Sequence, residues 1–447
     1  MSYPCAVFPE ELDLLVIGLR RFPVADIGSP VWFDQNESIL KLTQQSYIEA
    51  STNQEEMVKE RLVAEDKLPV LVHELFCALV WRHRVLPKLL KEPADLEATF
   101  VVYSVLYYEV NVAALLDTVL FHRNSCEALG GSVLDLIDYC ATAVGLLIGM
   151  ANCERVEGRE VGAEQLLNES GKEEVERMSE QMAFRVGMKC LSVLGSLASN
   201  LDVLPLSAAS RMTKVHDVPC LVAEILHAKP WLRKRKGIEK FLNDSWKVVY
   251  GEEITKVTKT EAQTWFCLFG LLFNESTSRN YEINEFRQRE ISKCVGLMNE
   301  QLLDQLPALA QLKQFLCTLQ MSGNGSGGSK KSDLLLEELP EIKDSLMEEA
   351  RRFGWSKIVK THKEIFVDLS QEQLTSVAKR LNAAYNTDLL EKINNGADDG
   401  GHKICSTCRK PAEKRCSKCE SVFYCSRECQ VADWPRHKEL CHQLKSL

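Results

Sequence analysis

The sequence predicts an all-α protein that carries a small metal-binding module at its C-terminal side. Three observations support this fold class. Apolar residues recur at helical spacing up to about residue 319, strand patterns are scarce along that stretch, and a cysteine cluster follows two glycine-containing linkers. A length of 447 residues favours two or three modules, because one ordinary core does not grow that large.

Helical patterns fill the first 320 residues. Pro9 precedes an apolar stripe of Leu12, Val16 and Leu19, which predicts a first helix that stops before Pro23. The segment 154–180 holds nine acidic and four basic residues and is predicted to be a solvated loop or a frayed helix. Further helices are predicted over 99–120, 135–150, 180–197, 264–273 and 302–319.

An internal sequence repeat favours a stack of repeated helices. Segments 69–76 and 219–226 share the pattern P-x-L-V-x-E followed by two apolar residues, and a tryptophan follows each of them, Trp81 and Trp231. Proline suits the first turn of a helix, so each segment is predicted to begin one. The repetition favours an armadillo- or HEAT-like domain over 1–320, with an irregular all-α domain as the alternative.

Two linkers divide the rest of the chain. Residues 321–332 are rich in glycine and serine, and 394–402 form a second, shorter linker. Between them, 333–393 is predicted to be a helical segment, and 405–441 form the metal-binding module. On this interpretation the module is tethered and free to reorient.

The cysteine cluster predicts two zinc ions. Seven of the 17 cysteines and one histidine lie within 405–441, in the order C-x2-C-x7-C-x2-C-x5-C-x3-C-x7-H-x3-C. Thiolate and imidazole are preferred donors for Zn²⁺, and four of them close a structural site with no open position. Since so short a segment has little core, zinc should supply most of its folding energy, roughly 10–16 kcal/mol per site.

The spacing also suggests which ligands share an ion. The C-x3-C and H-x3-C pairs place two ligands on one face of a helix, and pairing alternate units ties both halves of the module together. A sequential pairing stays open, and a disulfide cluster would require an oxidising compartment, of which the sequence gives no sign. The interleaved sets are Cys405, Cys408, Cys425 and Cys429 for one zinc, and Cys416, Cys419, His437 and Cys441 for the other.

Charge and hydropathy argue against nucleic acid as a partner and against a transmembrane segment. Net charge is −9, and although the module holds eight basic and five acidic residues, seven thiolates and two zinc ions bring it close to neutral. The longest apolar stretch, 143–151, is too short to cross a bilayer, so no transmembrane segment is expected.

The module resembles the MYND-type zinc finger. The resemblance covers the ligand spacing and intervening runs such as Phe423-Tyr424-Cys425-Ser426 and Asp433-Trp434. It implies that Gln430 and Trp434, one helical turn apart, line a groove for short proline-rich peptides. The alternative is that Trp434 only covers a zinc ligand.

Catalysis is not predicted. The run from Tyr250 to Ile254 resembles a fragment of the SET methyltransferase pattern, but the accompanying cofactor segment is absent, and its acids also suit a helix N-terminus. His216 and Cys220 could pair a base with a thiol, but their apolar context favours ordinary packing. No P-loop, dinucleotide-binding glycine fingerprint or H-E-x-x-H motif occurs.

The whole chain resembles the zinc finger MYND domain-containing protein 10 family. The resemblance is carried by runs spread along the sequence, namely Arg21-Phe22-Pro23, the 68–81 helix, Val119-Leu120-Phe121-His122, 302–307 and 336–342. It implies a cytoplasmic adaptor for the preassembly of inner and outer axonemal dynein arms in motile cilia.

The resemblance also implies particular partners and locations. The finger would bind a leucine-rich-repeat assembly factor, chaperones and a prolyl-isomerase co-chaperone would join it, and axonemal dynein chains would be the clients. The implied locations are the cytoplasm with its dynein assembly condensates, the centriolar satellites and the apical region of ciliated cells. The alternative is a nuclear co-repressor scaffold, and the basic run Arg233-Lys234-Arg235-Lys236 would then act as its nuclear signal. That run is otherwise interpreted as a solvated helix edge.

Overall fold

Helices dominate the computed structural model, and the all-α prediction is confirmed. The helices of the body are α1 Pro9–Ile17, α2 Pro30–Ser51, α3 Met57–Ala64, α4 Leu68–Arg84, α5 Leu86–Leu89, α6 Thr99–Val119, α7 Arg123–Glu127, α8 Ser132–Asn152, α9 Gly171–Ser199, α10 Leu206–Ser210, α11 Val218–Ala228, α12 Lys259–Phe273, α13 Glu275–Ser278, α14 Glu285–Ser292, α15 Glu300–Gln305 and α16 Leu309–Met321. The structure describes residues 7–91, 99–152, 168–235, 237–278, 281–321, 339–384, 405–408, 410–412, 414–419 and 422–446.

The long helices stack in two rows. One row runs α2, α6, α9 and α12, with each helix packed on the next, and the other runs α4, α8 and α11. Helices of the second row also pack across onto the first, α4 on α6, α8 on α9 and α11 on α12. The two similar segments, 69–76 and 219–226, lie at the starts of α4 and α11, so both are in the same row. This two-row order is the arrangement expected of a helical-repeat domain.

Two predicted segments differ in how the chain is divided. For 154–180, predicted to be a solvated loop or a frayed helix, residues 154–167 lie outside the described residues and 171–180 are the start of α9. Ser170 and Glu173 begin this helix with a reciprocal capping box, in which the Glu173 N–H donates to Ser170 Oγ and the Ser170 N–H to Glu173 Oε2. The predicted helix over 302–319 is broken between α15 and α16. Pro307 lies in the break, where it lacks an N–H and disfavours helical geometry at Leu306.

A small antiparallel sheet follows α11, and the sequence analysis did not predict it. Its strands are β1 Leu232–Lys234, β2 Ile238–Leu242 and β3 Ser245–Val248, with β2 in the centre. Leu242 pairs with Ser245 across a two-residue loop in which Asn243 and Asp244 have φ values of 50° and 59°. Positive φ at both positions is the signature of a type I′ hairpin turn.

The sheet is fixed to α9 by aromatic and ionic contacts. The Phe184 ring meets the Phe241 ring edge to face, with centroids 5.1 Å apart. Lys189 on the same helix lies between Asp117 and Asp244, with Nζ to carboxylate distances of 3.7 and 3.1 Å. The sheet is therefore a rigid extension of the helical body.

The C-terminal helices pack back onto the first helices of the chain. They are α17 Ile342–Phe353, α18 Trp355–Phe366 and α19 Gln371–Ala384, and they contact α4, α5 and α2. Leu346, Ile358 and Phe366 are buried in the same hydrophobic core as the body. Of the predicted linker 321–332 only Met321 is described, as the last residue of α16. The linker 394–402 and the two ends of the predicted segment 333–393 lie outside the described residues.

Two buried contacts join α18 to the N-terminal part of the body. The Trp81 indole N–H donates to His362 Nδ1 at 3.1 Å, which leaves the proton of a neutral imidazole on Nε2, 3.3 Å from the carbonyl of Ala25. Gly28 has a φ of 85°, and a Cβ there would lie 2.8 Å from atoms of Ile365 and Phe366. The close approach of α18 therefore requires glycine at that position.

Two helices, α6 and α8, are long and apolar enough to span a bilayer by length and composition. In the structure they lie in the middle of the two rows, and 67% and 61% of their most apolar windows are buried by the rest of the protein. Protein packing therefore accounts for their apolar surfaces.

His362→Gln should flatten the pH dependence of this packing. Burial lowers the pKa of His362 to about 4 from an ordinary 6.5. Between these pH values the imidazole is therefore neutral when α18 is packed and becomes protonated when α18 opens to solvent. Packing of α18 is thus fully stable above about pH 6.5 and loses up to about 3 kcal/mol as the pH falls towards 4. Glutamine can accept from Trp81 and donate to Ala25 without titrating. Hydrogen exchange over 355–366 measures the opening free energy, and equal pH slopes in variant and wild type would contradict the assignment.

Candidate metal centre and partner-binding finger

The first ligand cluster joins one cysteine knuckle to the start of the finger helix, α20 Arg427–Ser446. The Sγ atoms of Cys408 and Cys425 are 3.3 Å apart, and those of Cys425 and Cys429 are 3.6 Å apart. The four donor atoms of this cluster lie within 4.8 Å of one another, and they belong to Cys405, Cys408, Cys425 and Cys429.

The second cluster joins the other knuckle to the middle of α20. The Sγ atoms of Cys416 and Cys441 are 3.9 Å apart, and Cys419 Sγ lies 3.5 Å from His437 Nε2. Its four donor atoms also lie within 4.8 Å of one another, and they belong to Cys416, Cys419, His437 and Cys441. The structure therefore groups the ligands in the interleaved sets.

Both clusters fit structural zinc. Zinc–sulfur bonds of about 2.3 Å in a tetrahedron separate two sulfurs by roughly 3.8 Å, close to the separations seen here. Each cluster supplies four soft or borderline donors, which fills a tetrahedral ion without an open position. The prediction of two structural zinc ions is confirmed.

Backbone hydrogen bonds hold the two knuckles in place. The Cys405 N–H donates to the Lys410 carbonyl at 2.7 Å, and the Cys416 N–H donates to the Val422 carbonyl at 2.9 Å. A short hairpin of β4 Lys414–Arg415 and β5 Phe423–Tyr424 lies between the clusters. In the folded finger these contacts hold the knuckle sulfurs close to their partner ligands on the other half of the module.

The environments of Cys405 and His437 favour the protonation states that zinc requires. Burial opposes ionisation of the Cys405 thiol, but N–H groups of Cys408 and Cys425 donate to its sulfur and lower its pKa to about 6. Burial also lowers the pKa of His437, which favours the neutral imidazole. Zinc binds thiolate and neutral imidazole, so both effects suit the metal.

Trp434 both covers a ligand and stays accessible. Its ring packs edge to face on the His437 ring, with centroids 5.9 Å apart, yet 37% of the residue is exposed. Gln430, one turn earlier, is half-buried. Val431 is 64% exposed and lies three residues before Trp434, so it extends the same side of the helix. Val431 was not predicted as a site residue, although an apolar residue at that spacing on a zinc-bound helix is a usable signal.

The finger packs against the sheet of the body. We call the contacting surface of the body the docking patch, and its members are Ile238, Val249, Tyr250, Glu252 and Ile254. The Tyr250 and Phe423 rings meet edge to face with centroids 5.1 Å apart. Arg436 lies 3.3 Å from the Glu252 carboxylate at the exposed margin of the contact. The sequence suggests a finger that is free to reorient, whereas the structure holds it against the body.

The docked side of the finger is not the Trp434 side. Arg436 faces the body, and Trp434 lies two residues earlier on the same helix. Residues two apart differ by about 200° around a helix axis. The side of α20 that bears Gln430, Val431 and Trp434, which is the candidate groove, thus points away from the docking patch.

The residues considered for catalysis have structural partners. His216 Nε2 lies 2.6 Å from Asp138 Oδ1, while Cys220 Sγ lies 3.7 Å from the hydroxyl of Tyr281. Burial raises the pKa of Cys220 to about 11, which disfavours a reactive thiolate. The Gly251–Ile254 run forms a 3₁₀ turn that carries part of the docking patch.

The basic run lies on the sheet rather than at a helix edge. Arg233 is on β1, where its guanidinium lies 4.0 Å above the Trp246 ring and its Nε donates to Glu239 at 2.5 Å. Arg235 follows the strand, and Lys236 is outside the described residues. Arg233 is therefore committed to contacts within the sheet.

Comparison with known proteins agrees with this geometry. The family model of the MYND finger matches residues 405–441. The sequence is 42% identical to "Zinc finger MYND domain-containing protein 10 homolog" of Drosophila melanogaster, across 97% of this chain and 98% of that protein. This chain belongs to the zinc finger MYND domain-containing protein 10 family. Membership and the finger together support a protein-interaction adaptor role.

Two further relatives are similar over short stretches. Ubiquitin C-terminal hydrolase 15 of Oryza sativa is 52% identical over 40 residues, which is 9% of this chain and 4% of that protein. Dauer abnormal formation protein 25 of Caenorhabditis elegans is 51% identical over 45 residues, 10% of this chain and 11% of that protein. Such stretches are about as long as the finger and carry no activity over to this chain. No solved structure matches.

Zinc removal should unfold the finger alone. Because eight donors hold a module with little core, reduced protein should carry two zinc ions per chain. Cys416→Ala or His437→Ala should lower the zinc content and abolish hydrogen-exchange protection over 405–441, while the far-ultraviolet dichroism of the body is kept. Elemental analysis that gives one zinc or none in the wild type would contradict the two-ion assignment.

Tyr250→Ala should release the finger from the docking patch. The variant loses an edge-to-face ring contact, worth about 0.5–1.5 kcal/mol, while zinc binding is kept. Hydrogen exchange over 249–254 should quicken, and Tyr250→Phe, which keeps the ring, should behave as the wild type. Unchanged exchange in Tyr250→Ala would show that the apolar contacts alone hold the finger.

Proposed function

We propose that this protein is a non-catalytic cytoplasmic adaptor for the preassembly of inner and outer axonemal dynein arms. Support comes from its similarity, across nearly the whole chain, to a zinc finger MYND domain-containing protein 10 homolog. Its place of action is the cytoplasm with its dynein assembly condensates, and further sites are the centriolar satellites and the apical region of ciliated cells.

The finger binds a leucine-rich-repeat assembly factor through the side of α20 that bears Gln430, Val431 and Trp434. The observation that carries this step is an accessible tryptophan directly beside a zinc ligand, on the side turned away from the body. Aromatic side chains of this kind dominate binding energies in interfaces, because they bury large areas at low entropy cost. A short proline-rich segment suits such a flat apolar surface.

The helical body supplies surface for the other partners. Its two-row stack exposes long helix faces, the kind of surface that helical-repeat proteins use for extended contacts. Chaperones, a prolyl-isomerase co-chaperone and the dynein chains as clients would bind there. This division gives the finger one partner and the body the others.

A non-catalytic role agrees with how the chemically capable residues are used. His216 binds Asp138 rather than activating Cys220, and Glu252 meets the finger residue Arg436. Each of these groups has a partner that holds the fold together. This arrangement of residues suits the binding of partners rather than catalysis.

Trp434→Ala should weaken binding of the finger to the leucine-rich-repeat assembly factor by about 2 kcal/mol or more, as expected of an aromatic hot spot. Calorimetry with full-length zinc-loaded protein measures this loss. The same variant, expressed in ciliated cells that lack the native protein, should remain abundant yet fail to restore dynein arms.

A matched control separates this effect from a general loss of exposed apolar surface. Phe286 is 55% exposed and lies on α14, away from the finger, so Phe286→Ala should bind and rescue as the wild type does. Zinc content must stay at the wild-type value in Trp434→Ala, because its ring packs on His437. Full binding by zinc-loaded Trp434→Ala would contradict a role for Trp434 in partner binding and leave it only the role of covering the metal site.

A further inference from the structure

A cavity of about 360 Å³ opens beside the docking patch. It lies between the end of α11, strand β2, the start of α12 and the loop before α15. Ile254 belongs both to its wall and to the docking patch. Its volume is at the lower end of the range for ligand sites, enough for a few side chains of a peptide.

Lysines dominate the charge of the cavity. Lys229, Lys240 and Lys256 line it, against the single carboxylate of Glu261. The Lys240 ammonium is buried and donates to the carbonyls of Glu253 and Lys256, at 2.9 and 2.5 Å. Three ammonium groups against one carboxylate leave an excess of positive charge.

The other two lysines are available to a ligand. Lys229 is half-buried and Lys256 is exposed at the rim. Within the part of the chain that the structure describes, neither ammonium has a hydrogen bond or lies within ion-pair distance of a carboxylate. Both groups can therefore bind an anion without giving up an existing contact.

The rest of the wall is mixed, with apolar residues beside the polar side chains of Thr255, Asn299 and Gln301. Trp231, Leu226 and Leu302 are among the buried apolar residues that line the cavity. A lining that combines buried apolar residues with lysines matches a ligand that has both an apolar side chain and a negative group. Desolvation inside such a cavity strengthens the ionic contact.

We propose that this cavity binds an acidic and apolar segment of a partner protein, with a carboxylate on Lys229 and Lys256 and a neighbouring apolar side chain against Trp231. The site is separate from the finger and does not depend on the finger's partner. It adds to an adaptor a second point of attachment, on the body.

The chemistry of the wall favours a carboxylate over a phosphate group. The lining contains no arginine, whose planar fork is the usual ligand for phosphate oxygens. Glu261 faces the same space, and burial raises the pKa of its carboxyl group, so added negative charge is costly there. A singly charged carboxylate meets less repulsion from Glu261 than a doubly charged phosphate.

Fluorescence anisotropy with the zinc-loaded full chain tests the site. The probe is a short fluorescent peptide that alternates glutamate and leucine, and its control is the same peptide with glutamine for glutamate. The glutamate peptide should bind at least about tenfold more tightly, a difference of roughly 1.4 kcal/mol, and binding should weaken with salt. Equal binding of the two peptides would overturn the proposal.

Lysine variants place the binding in the cavity. Lys229→Gln with Lys256→Gln removes both charges and leaves shorter, neutral polar side chains, so affinity should fall at least about tenfold. Lys214→Gln with Lys360→Gln removes two exposed lysines elsewhere and should change nothing. An unchanged affinity in the cavity variant would overturn the assignment.

Charge reversal distinguishes the loss of the two positive charges from a loss of the fold. Lys229→Glu with Lys256→Glu should reject the glutamate peptide and bind one that alternates lysine and leucine. Trp434→Ala should bind the glutamate peptide as the wild type does, which separates this site from the finger. Loss of the glutamate peptide in Trp434→Ala would place its binding on the finger and sink the proposal.

Discussion

Zinc coordination is the constraint on which the finger and its contacts depend. Each ion joins one cysteine knuckle to a different turn of α20, so neither half of the finger is held without the other. The elements fixed in this way include β5, whose Phe423 ring packs on Tyr250, and the turn that bears Trp434. Structural zinc contributes roughly 10–16 kcal/mol per site, several times the energy of any contact the finger makes with the body. Metal loading therefore decides both whether the candidate groove exists and whether the docking patch is covered.

The 3₁₀ turn at Gly251–Ile254 joins the finger to the interior of the body. Glu252 on this turn faces Arg436 of the finger, while the carbonyl of Glu253 accepts a hydrogen bond from the buried Lys240 ammonium. Burial lowers the pKa of Lys240 to about 8, and two carbonyl acceptors keep the ammonium hydrogen-bonded there. The strand that bears Lys240 is in turn fixed to α9 through Phe241. The orientation of the finger is thus set by contacts deep in the helical stack.

Local chemistry explains which features the sequence predicts. Helical periodicity locates the core helices, and ligand spacing locates the zinc sites, because both depend on residues close together in the chain. The β2–β3 hairpin was missed although its Asn243-Asp244 loop between alternating apolar residues is a usable local signal. Packing of the C-terminal helices could not be predicted in this way. It depends on pairs such as Trp81 and His362, which are 281 residues apart and become neighbours only through the fold.

The two sides of α20 allow the finger to serve two contacts at once. A partner on the Trp434 side does not compete with the docking patch, because the body contacts the side of Arg436. A finger on a free linker would only raise the local concentration of its partner near the body. A docked finger also fixes the direction from which that partner approaches, at a rigid distance from the long helix faces and from the lysine-lined cavity. For an adaptor that brings several proteins together, loss of docking would therefore change the geometry of the assembly before it changed the affinity of the finger.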